Sequence, residues 1–254
     1  MTILEGRHAL VTGGGTGIGA AIAFALAHAG AQVTICGRRA EELEFTAERH
    51  RNIHVQAADV TDTASVGKLY RQAEKARGQF AIVVANAGIG ESAPAEKISH
   101  ELWSKTLDVN LTGTFFSVQP ALAAMRKQKW GRIIFIASTA GLKGYPYVAH
   151  YVAAKHGVVG LARALAVETA NDGITVNAVC PGFTETSLLD RAVDRIAERT
   201  KVSETDARKL LLTHNPQGRF IQPQEVADAV VWLCQEGSGV ITGQTISVSG
   251  GETW

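Results

Sequence analysis

The sequence predicts an α/β fold: a doubly wound parallel sheet of seven strands with helices on both faces. Three observations carry that expectation. Short apolar runs alternate with helical stretches almost without a break. Most of the runs are apolar on both faces, as strands covered by helices on each side must be. The repeated strand–helix order is satisfied by right-handed crossovers between parallel strands.

Taken in order, His8–Val11 is the first strand, and a glycine-rich turn leads from it into a helix over Ile18–Ala29. Gln32–Cys36 and Ile53–Gln56 follow as strands, separated by a helix at Glu41–Arg49. A helix at Ala64–Arg77 precedes the strand Phe80–Val84, and one long helix is expected over Glu101–Lys127. The strand Arg132–Ala137, the helix Tyr151–Asn171 and the strand Thr175–Val179 continue the alternation. A helix at Pro223–Gln235 and the strand Thr245–Val248 complete it. Gly30, Gly78, Gly131 and Gly173 fall near the ends of four of these helices, where a glycine cap is usual. No linker, repeat or low-complexity tract divides the chain, which reads as one domain over residues 1–254.

Composition narrows the class. Hydrophobic residues make up 46% and charged residues 19%, with a net charge of +1. These values describe an ordinary globular protein and argue against a nucleic-acid partner, which would need a basic patch. The three cysteines, Cys36, Cys180 and Cys234, are far apart and form no CxxC pair, which fits reduced thiols in a cytoplasmic protein. The chain reaches its first strand within ten residues and has no apolar run near the ~18 residues of a membrane span. The eight histidines show no metal-ligand spacing, so no metal is expected.

The turn Thr12-Gly13-Gly14-Gly15-Thr16-Gly17-Ile18-Gly19 joins the first strand to the first helix. It is Thr-Gly-x-x-x-Gly-x-Gly, one residue longer between its first two glycines than the G-x-G-x-x-G fingerprint. The physical need is similar: glycines permit close backbone approach, and the helix N-terminus presents N–H groups to a pyrophosphate. Gly13, Thr16, Gly17, Ile18 and Gly19 are therefore candidate cofactor residues. At the end of the second strand stands Gly37, where an NAD site would carry a carboxylate, followed by Arg38 and Arg39. An arginine there suits the 2′-phosphate of NADP. The alternative is a solvated basic pair before a helix.

Tyr151 and Lys155 lie four residues apart, on one face of the predicted helix. An ammonium beside a phenol favours its ionised form, so the tyrosine is expected to exchange protons below its usual pKa of about 10. Alone, Tyr-x-x-x-Lys is weak evidence, but it has companions. Ser138 ends an apolar strand, where ligands bind in open α/β sheets. Asn110 sits inside a long helical pattern, where asparagine is unfavourable unless it serves a purpose. Each has a bland reading as turn serine, helix surface residue or kink cap; the set together points to an active site. His150 reads as a packing residue rather than a second acid.

With these residues in place, the chain resembles the short-chain dehydrogenase/reductase family, with a Rossmann-type fold, over nearly its whole length. The motifs are Thr12–Gly19, Asp59-Val60, Asn86-Ala87-Gly88, Asn110, Ser138, Tyr151–Lys155 and Pro181-Gly182. The family often has a second asparagine where Ala85 stands. Asn177–Thr186 and Gly218–Pro223 are most similar to bacterial ketoreductases of the 3-oxoacyl and polyketide type. The resemblance implies hydride transfer between NADP(H) and a carbonyl or secondary alcohol. In that scheme Tyr151 is the acid, Ser138 the oxyanion donor, and Lys155 the partner of the phenol and the ribose. Asn110 would anchor a proton-relaying water. It further implies Asp59 and Val60 at the adenine, Asn86 to Gly88 along the ribose, and Pro181, Gly182, Thr184 and Thr186 near the carboxamide. Asp59 could instead cap the helix after it, although Asp62 is as well placed. A homotetramer, with contacts through Glu101–Lys127 and Tyr151–Asn171, is also implied.

Substrate choice is expected in the insertion 183–217. Leu188, Leu189, Ala192, Val193 and Ile196 fall at helical spacing, and Ser203 with Asp206 reads as the cap of a second helix. The pair is either a lid or a fixed oligomer surface. Gly141–His150 should form the opposite wall, and Tyr145, Tyr147 and Phe183 give the pocket an apolar or aromatic character. Three functions stay open: an NADPH-dependent reductase of a 3-oxoacyl thioester or related ketone, an NAD(P)-dependent alcohol or 3-hydroxyacyl dehydrogenase, and a non-catalytic NADP sensor.

Overall fold

The computed structural model describes residues 3–254. Its seven strands are β1 (His8–Thr12), β2 (Gln32–Cys36), β3 (Ile53–Val55), β4 (Ile82–Ala85), β5 (Gly131–Ile136), β6 (Ile174–Pro181) and β7 (Thr245–Val248). They form one sheet in the order β3-β2-β1-β4-β5-β6-β7, with every neighbouring pair parallel. The chain starts in the middle, winds out to β3, then crosses back to β4 on the other side of β1. The order therefore reverses between β1 and β4, and the crevice beyond their carboxyl ends is where such sheets bind ligands.

The described residues also form ten α-helices: α1 (Gly17–His28), α2 (Ala40–Ala47), α3 (Thr63–Arg77), α4 (His100–Leu107), α5 (Gly113–Val118), α6 (Leu122–Gln128), α7 (Ala149–Thr169), α8 (Ser187–Thr200), α9 (Glu204–Leu212) and α10 (Pro223–Cys234). Alternate strand residues face opposite ways, so the sheet has two cores. Leu10, Val83, Ile133 and Val176 pack with Leu69, Met125, Val158 and Leu165 on one face. Val11, Ile35, Val84 and Ile134 pack with Ile22, Leu26, Val226 and Leu233 on the other. Each fully buried side chain of this size contributes about 1.5–3 kcal/mol, which is why both faces of every central strand read as apolar.

Two expectations fail for local reasons. The long helix over Glu101–Lys127 is interrupted by a π-turn at Asp108–Thr112 and a 3₁₀ turn at Gln119–Ala121. Asn110 occupies the first break, and Pro120, which lacks an N–H and crowds the carbonyl four residues back, occupies the second. Gly131 does not cap a helix. Lys129 takes the left-handed position at φ 53°, and Gly131 opens β5, where a Cβ would lie 2.7 Å from the Met125 sulfur. Gly30, Gly78 and Gly173 do adopt positive φ at helix ends.

The insertion folds as α8 and α9, which bury Leu189 and Val193 against Ala207, Leu211 and Phe220. Ser203 caps α9, its Oγ accepting from the Asp206 N–H at 3.1 Å. Among the described residues, no helix is long and apolar enough to cross a membrane.

Candidate active site

The side of the crevice expected to take the cofactor is built from backbone. The Thr12 hydroxyl accepts hydrogen bonds from the Asn86 and Ala87 N–H groups at 3.0 and 2.9 Å. Asn86 Nδ2 donates in return to the Thr12 and Gly13 carbonyls at 2.9 and 3.2 Å. The amide expected along the ribose thus staples the ends of β1 and β4 together. A Cβ on Gly19 would lie 2.1 Å from the Gly13 oxygen, so the turn closes only with glycine there. Gly17 has φ 54°, and the α1 N-cap, Thr16, makes no side-chain cap bond, leaving the first N–H groups of the helix facing the crevice. Ile18 packs against the sheet core behind the turn. These features fit a pyrophosphate: close backbone, unpaired donors and a helix dipole.

At the rim, Arg39 pairs with Glu42 at 3.1 Å and lies 3.5 Å from the Thr16 hydroxyl. Arg38 is exposed, makes no hydrogen bond among the described residues, and favours the ionised form of Asp59. Of the basic pair it is the uncommitted one. A Cβ at Gly37 would meet only Leu43 Cδ2, at 3.7 Å. Asp59 Oδ1 accepts from the Thr61 N–H and hydroxyl at 2.9 and 2.8 Å, and chiefly these bonds hold its pKa below the usual carboxylate range. Asp62, not Asp59, caps α3 through the Ala64 N–H. Val60 is buried against Gly113, where a Cβ would come within 2.8 Å of its Cγ2.

The candidate reacting groups meet at the carboxyl end of β5. Ser138 lies just beyond the strand, its Oγ accepting from the Ala140 N–H at 3.1 Å. Tyr151 and Lys155 come from the first turns of α7. Lys155 is 4% exposed and donates to the Ile136 carbonyl at 2.8 Å, which ties α7 to the end of β5. Burial pulls its pKa down to about 8, against an opposing effect of Cys180. The expectation that Lys155 lowers the phenol's pKa is not met in this state. Burial pushes the Tyr151 pKa up, and the Ser138 hydroxyl pulls only part of the way back. The reason is placement: Nζ stands 5.7 Å from the ring centroid and is committed to the Ile136 carbonyl.

Asn110 is fully buried and grips Ile89 in both directions, Oδ1 accepting at 3.0 Å and Nδ2 donating at 2.9 Å. Both polar atoms of its amide are engaged, so the side chain bridges to the 86–90 loop rather than to Lys155. Gly88 permits this, since a Cβ there would lie 2.7 Å from Asn110 Oδ1.

The side of the crevice expected to take a substrate is built from side chains. Pro181 ends β6, the Gly182 N–H donates to the Val248 carbonyl at 3.0 Å, and the Thr184 hydroxyl donates to the Gly182 carbonyl at 2.9 Å. Thr186 then leans across the crevice, its Cγ2 lying 3.0 Å from a Cβ placed on Gly17. Tyr145 meets Phe183 edge-on with centroids 6.2 Å apart, and His214 joins them at 5.7 and 5.9 Å. Leu188 reaches to 3.2 Å from a Cβ placed on Gly90. Tyr147 differs from expectation. It is 63% exposed with φ 65°, and the left-handed backbone turns it to the rim while its carbonyl accepts from the Ala93 N–H at 2.8 Å.

Sequence reasoning missed Thr139, Lys143, His214 and Glu252. The Tyr145 hydroxyl donates to Glu252 and lies within hydrogen-bond distance of Thr139 Oγ1, at 2.7 Å. No spacing connects residue 252 with residue 145, so no local signal marked the pair. The hydroxyl of Thr12 lay within a motif, but its staple with Asn86 needed the sheet order to be seen.

The geometry has close counterparts. A family model described as short chain dehydrogenase matches residues 7–197. The putative ketoacyl reductase 1 of the granaticin polyketide synthase from Streptomyces violaceoruber is 39% identical over 96% of this chain and 92% of its own. D-beta-hydroxybutyrate dehydrogenase of Cupriavidus necator is 37% identical over 98% of each chain. The crystal structure of a tryptophan variant of actinorhodin polyketide ketoreductase with NADPH superimposes with a TM-score of 0.94, at 36% identity over 97% of each chain. The chain belongs to the short-chain dehydrogenase/reductase family. It is an oxidoreductase of the kind that works with a nicotinamide cofactor and small carbonyl or acyl substrates.

Proposed function

We propose that this protein is an NADPH-dependent carbonyl reductase acting on a 3-oxoacyl thioester or a related ketone. The observation that carries the reading is the meeting of Ser138, Tyr151 and Lys155 at the end of β5, beside a glycine turn shaped for a pyrophosphate. NADPH, when bound, supplies the hydride. Ser138 donates to the carbonyl oxygen where charge develops, and Tyr151 delivers the proton to it. Lys155 stands behind the phenol and supports its charge once the proton has left. Gly13, Thr16, Gly17, Ile18 and Gly19 hold the pyrophosphate, and Asp59 and Val60 flank the adenine. Gly88, Pro181, Gly182, Thr184 and Thr186 line the nicotinamide end, with Asn86 and Asn110 bracing it. Arg38, aided by Arg39, takes the 2′-phosphate. Tyr145 and Phe183 face the substrate.

The proposal treats residues 1–254 as one catalytic domain of a cytoplasmic homotetramer, with 183–217 as its lid. The exposed Trp103 and Val167, on α4 and α7, provide apolar surface for the subunit contacts. A coupled screen of ketones, 3-oxoacyl thioesters and secondary alcohols with NADPH, NADP and NAD tests the activity. NADPH oxidation with a 3-oxoacyl thioester is the expected result, and no turnover with any carbonyl sinks it. The reverse reading, a 3-hydroxyacyl dehydrogenase, is favoured by the resemblance to D-beta-hydroxybutyrate dehydrogenase. NAD reduction with a 3-hydroxy acid, together with indifference to NADP, would establish it. Light scattering reporting a monomer at micromolar concentration would remove the tetramer.

A further inference from the structure

The C-terminal tail places a buried carboxylate at the edge of the substrate wall. Glu252 has a side chain only 1% exposed. Its Oε1 contacts the Tyr145 hydroxyl and forms an ion pair with Lys143 Nζ at 3.1 Å. Its Oε2 is buried with no hydrogen-bond partner among the described residues, and it lies 3.1 Å from a Cβ placed on Gly182. A buried carboxylate is costly unless it is paired and hydrogen-bonded. Lys143 and Tyr145 provide that compensation for one oxygen only.

The contact joins three segments that are otherwise remote in sequence. Tyr145 belongs to the wall 141–150, and its ring packs on Phe183 and His214 at the two ends of the insertion. The tail itself is seated on the end of the insertion: a Cβ on Gly250 would lie 2.3 Å from Asn215 Oδ1, and one on Gly251 would lie 3.5 Å from Pro216 Cγ. The hydroxyl of Tyr145 is thus engaged by Thr139 and Glu252, and Lys143 Nζ stands over its ring, 5.0 Å from the centroid.

We propose that Glu252 is a positioning residue that sets substrate choice. It holds the Tyr145 ring opposite Phe183, so that the site prefers carbonyl compounds with a flat or chain-like apolar substituent over branched ones. This rests on the carbonyl-reductase reading of the same site. Removing the carboxylate frees the ring, and the wall then loses its fixed shape while the cofactor half and the reacting groups stay in place.

The test compares wild type with Glu252→Ala, Glu252→Gln, Tyr145→Phe and the double variant Glu252→Ala/Tyr145→Phe. An aryl methyl ketone and a tert-butyl methyl ketone serve as substrates. Loss of a hydrogen bond to a charged acceptor should raise KM for the aryl ketone about tenfold in each single variant that removes it. The preference over the branched ketone should fall, with kcat and the NADPH affinity from fluorescence titration changing less than about threefold. The double variant should fall short of the sum of the two singles, because both break the shared Tyr145–Glu252 contact. Glu252→Gln, which retains an acceptor for Tyr145, should recover most of the loss.

Hydrogen exchange supplies a readout independent of activity. Amides in 141–148 and 213–217 should exchange faster in Glu252→Ala and Tyr145→Phe, with the central strands unchanged. Additive KM effects, an unaltered ketone preference, or faster exchange spread across the sheet would overturn the proposal. If the wild type reduces no ketone, the functional reading fails. The exchange pattern then decides the clamp by itself: local loosening upholds it, and unchanged protection of both segments ends it.

Discussion

The two halves of the crevice are made of different material. On the cofactor side, between residues 12 and 19 and at 86–88, main-chain atoms do the work, and Gly19 approaches the Gly13 carbonyl more closely than any Cβ would allow. Side chains there, Thr12 and Asn86, serve the backbone by closing four hydrogen bonds across β1 and β4. On the substrate side, Tyr145, Phe183, His214 and Glu252 touch through side chains drawn from four separate segments. A main-chain cradle tolerates almost no substitution and suits what is common to every nicotinamide cofactor. A surface of side chains changes with each residue and is where one reductase can differ from another.

The comparison can be broken at its meeting point. Tyr151→Phe should lower turnover at least ~100-fold while NADPH binding stays nearly intact, the usual scale for a lost general acid. Stopped-flow turnover with fluorescence titration measures both, and a variant that keeps half the wild-type rate removes Tyr151 from the role of acid.

At the rim of the cofactor half, wild type should prefer NADP over NAD by about tenfold to a hundredfold, nearer the lower value because Arg38 is exposed. Gly37→Asp with Arg38→Ile should reverse that preference, since the new side chain has room beyond Leu43 Cδ2. The comparison is kcat/KM for both cofactors at fixed ionic strength; a wild type that already favours NAD would reduce Arg38 to a solvated residue.

Thr12→Val sharpens the claim about backbone. It keeps the shape but leaves the Asn86 and Ala87 N–H groups without their acceptor, at about 1–3 kcal/mol of stability. Urea denaturation should show the loss, and NADPH affinity should fall with it. An unchanged midpoint would mean that the staple is not structural. Leu188→Ala on the substrate side should cost less than about 1 kcal/mol, because Leu188 is 37% exposed and opens no sealed cavity. Its effect should appear in KM for the ketone, and a large drop in melting temperature instead would show that α8 belongs to the core.

The same division governs what could be read in advance. All seven strands, their parallel arrangement and the glycine turn were legible, because each depends on local pattern: apolar runs, helix caps and residues lacking a Cβ. Ser138, Tyr151 and Lys155 were legible because a strand end and a helix face place them by short-range rules. The breaks at Asn110 and Pro120 were misread as one helix. Pro120 carried a local warning, whereas Asn110 leaves the helical pattern to grip Ile89, a contact twenty-one residues away in sequence.

The amino-acid sequence by itself determined the strands, the glycine cradle and the candidate reacting groups, since hydrophobic period, glycine and helical spacing act over a few residues. Only the tertiary structure decided what those groups experience. It buried Lys155 and bonded it to the Ile136 carbonyl, so that its pKa falls to about 8, and it left the phenol of Tyr151 raised rather than lowered. It also turned Tyr147 outward and set Glu252 against Tyr145. Desolvation and side-chain contact depend on which distant segments come to lie together, and no short-range pattern encodes that.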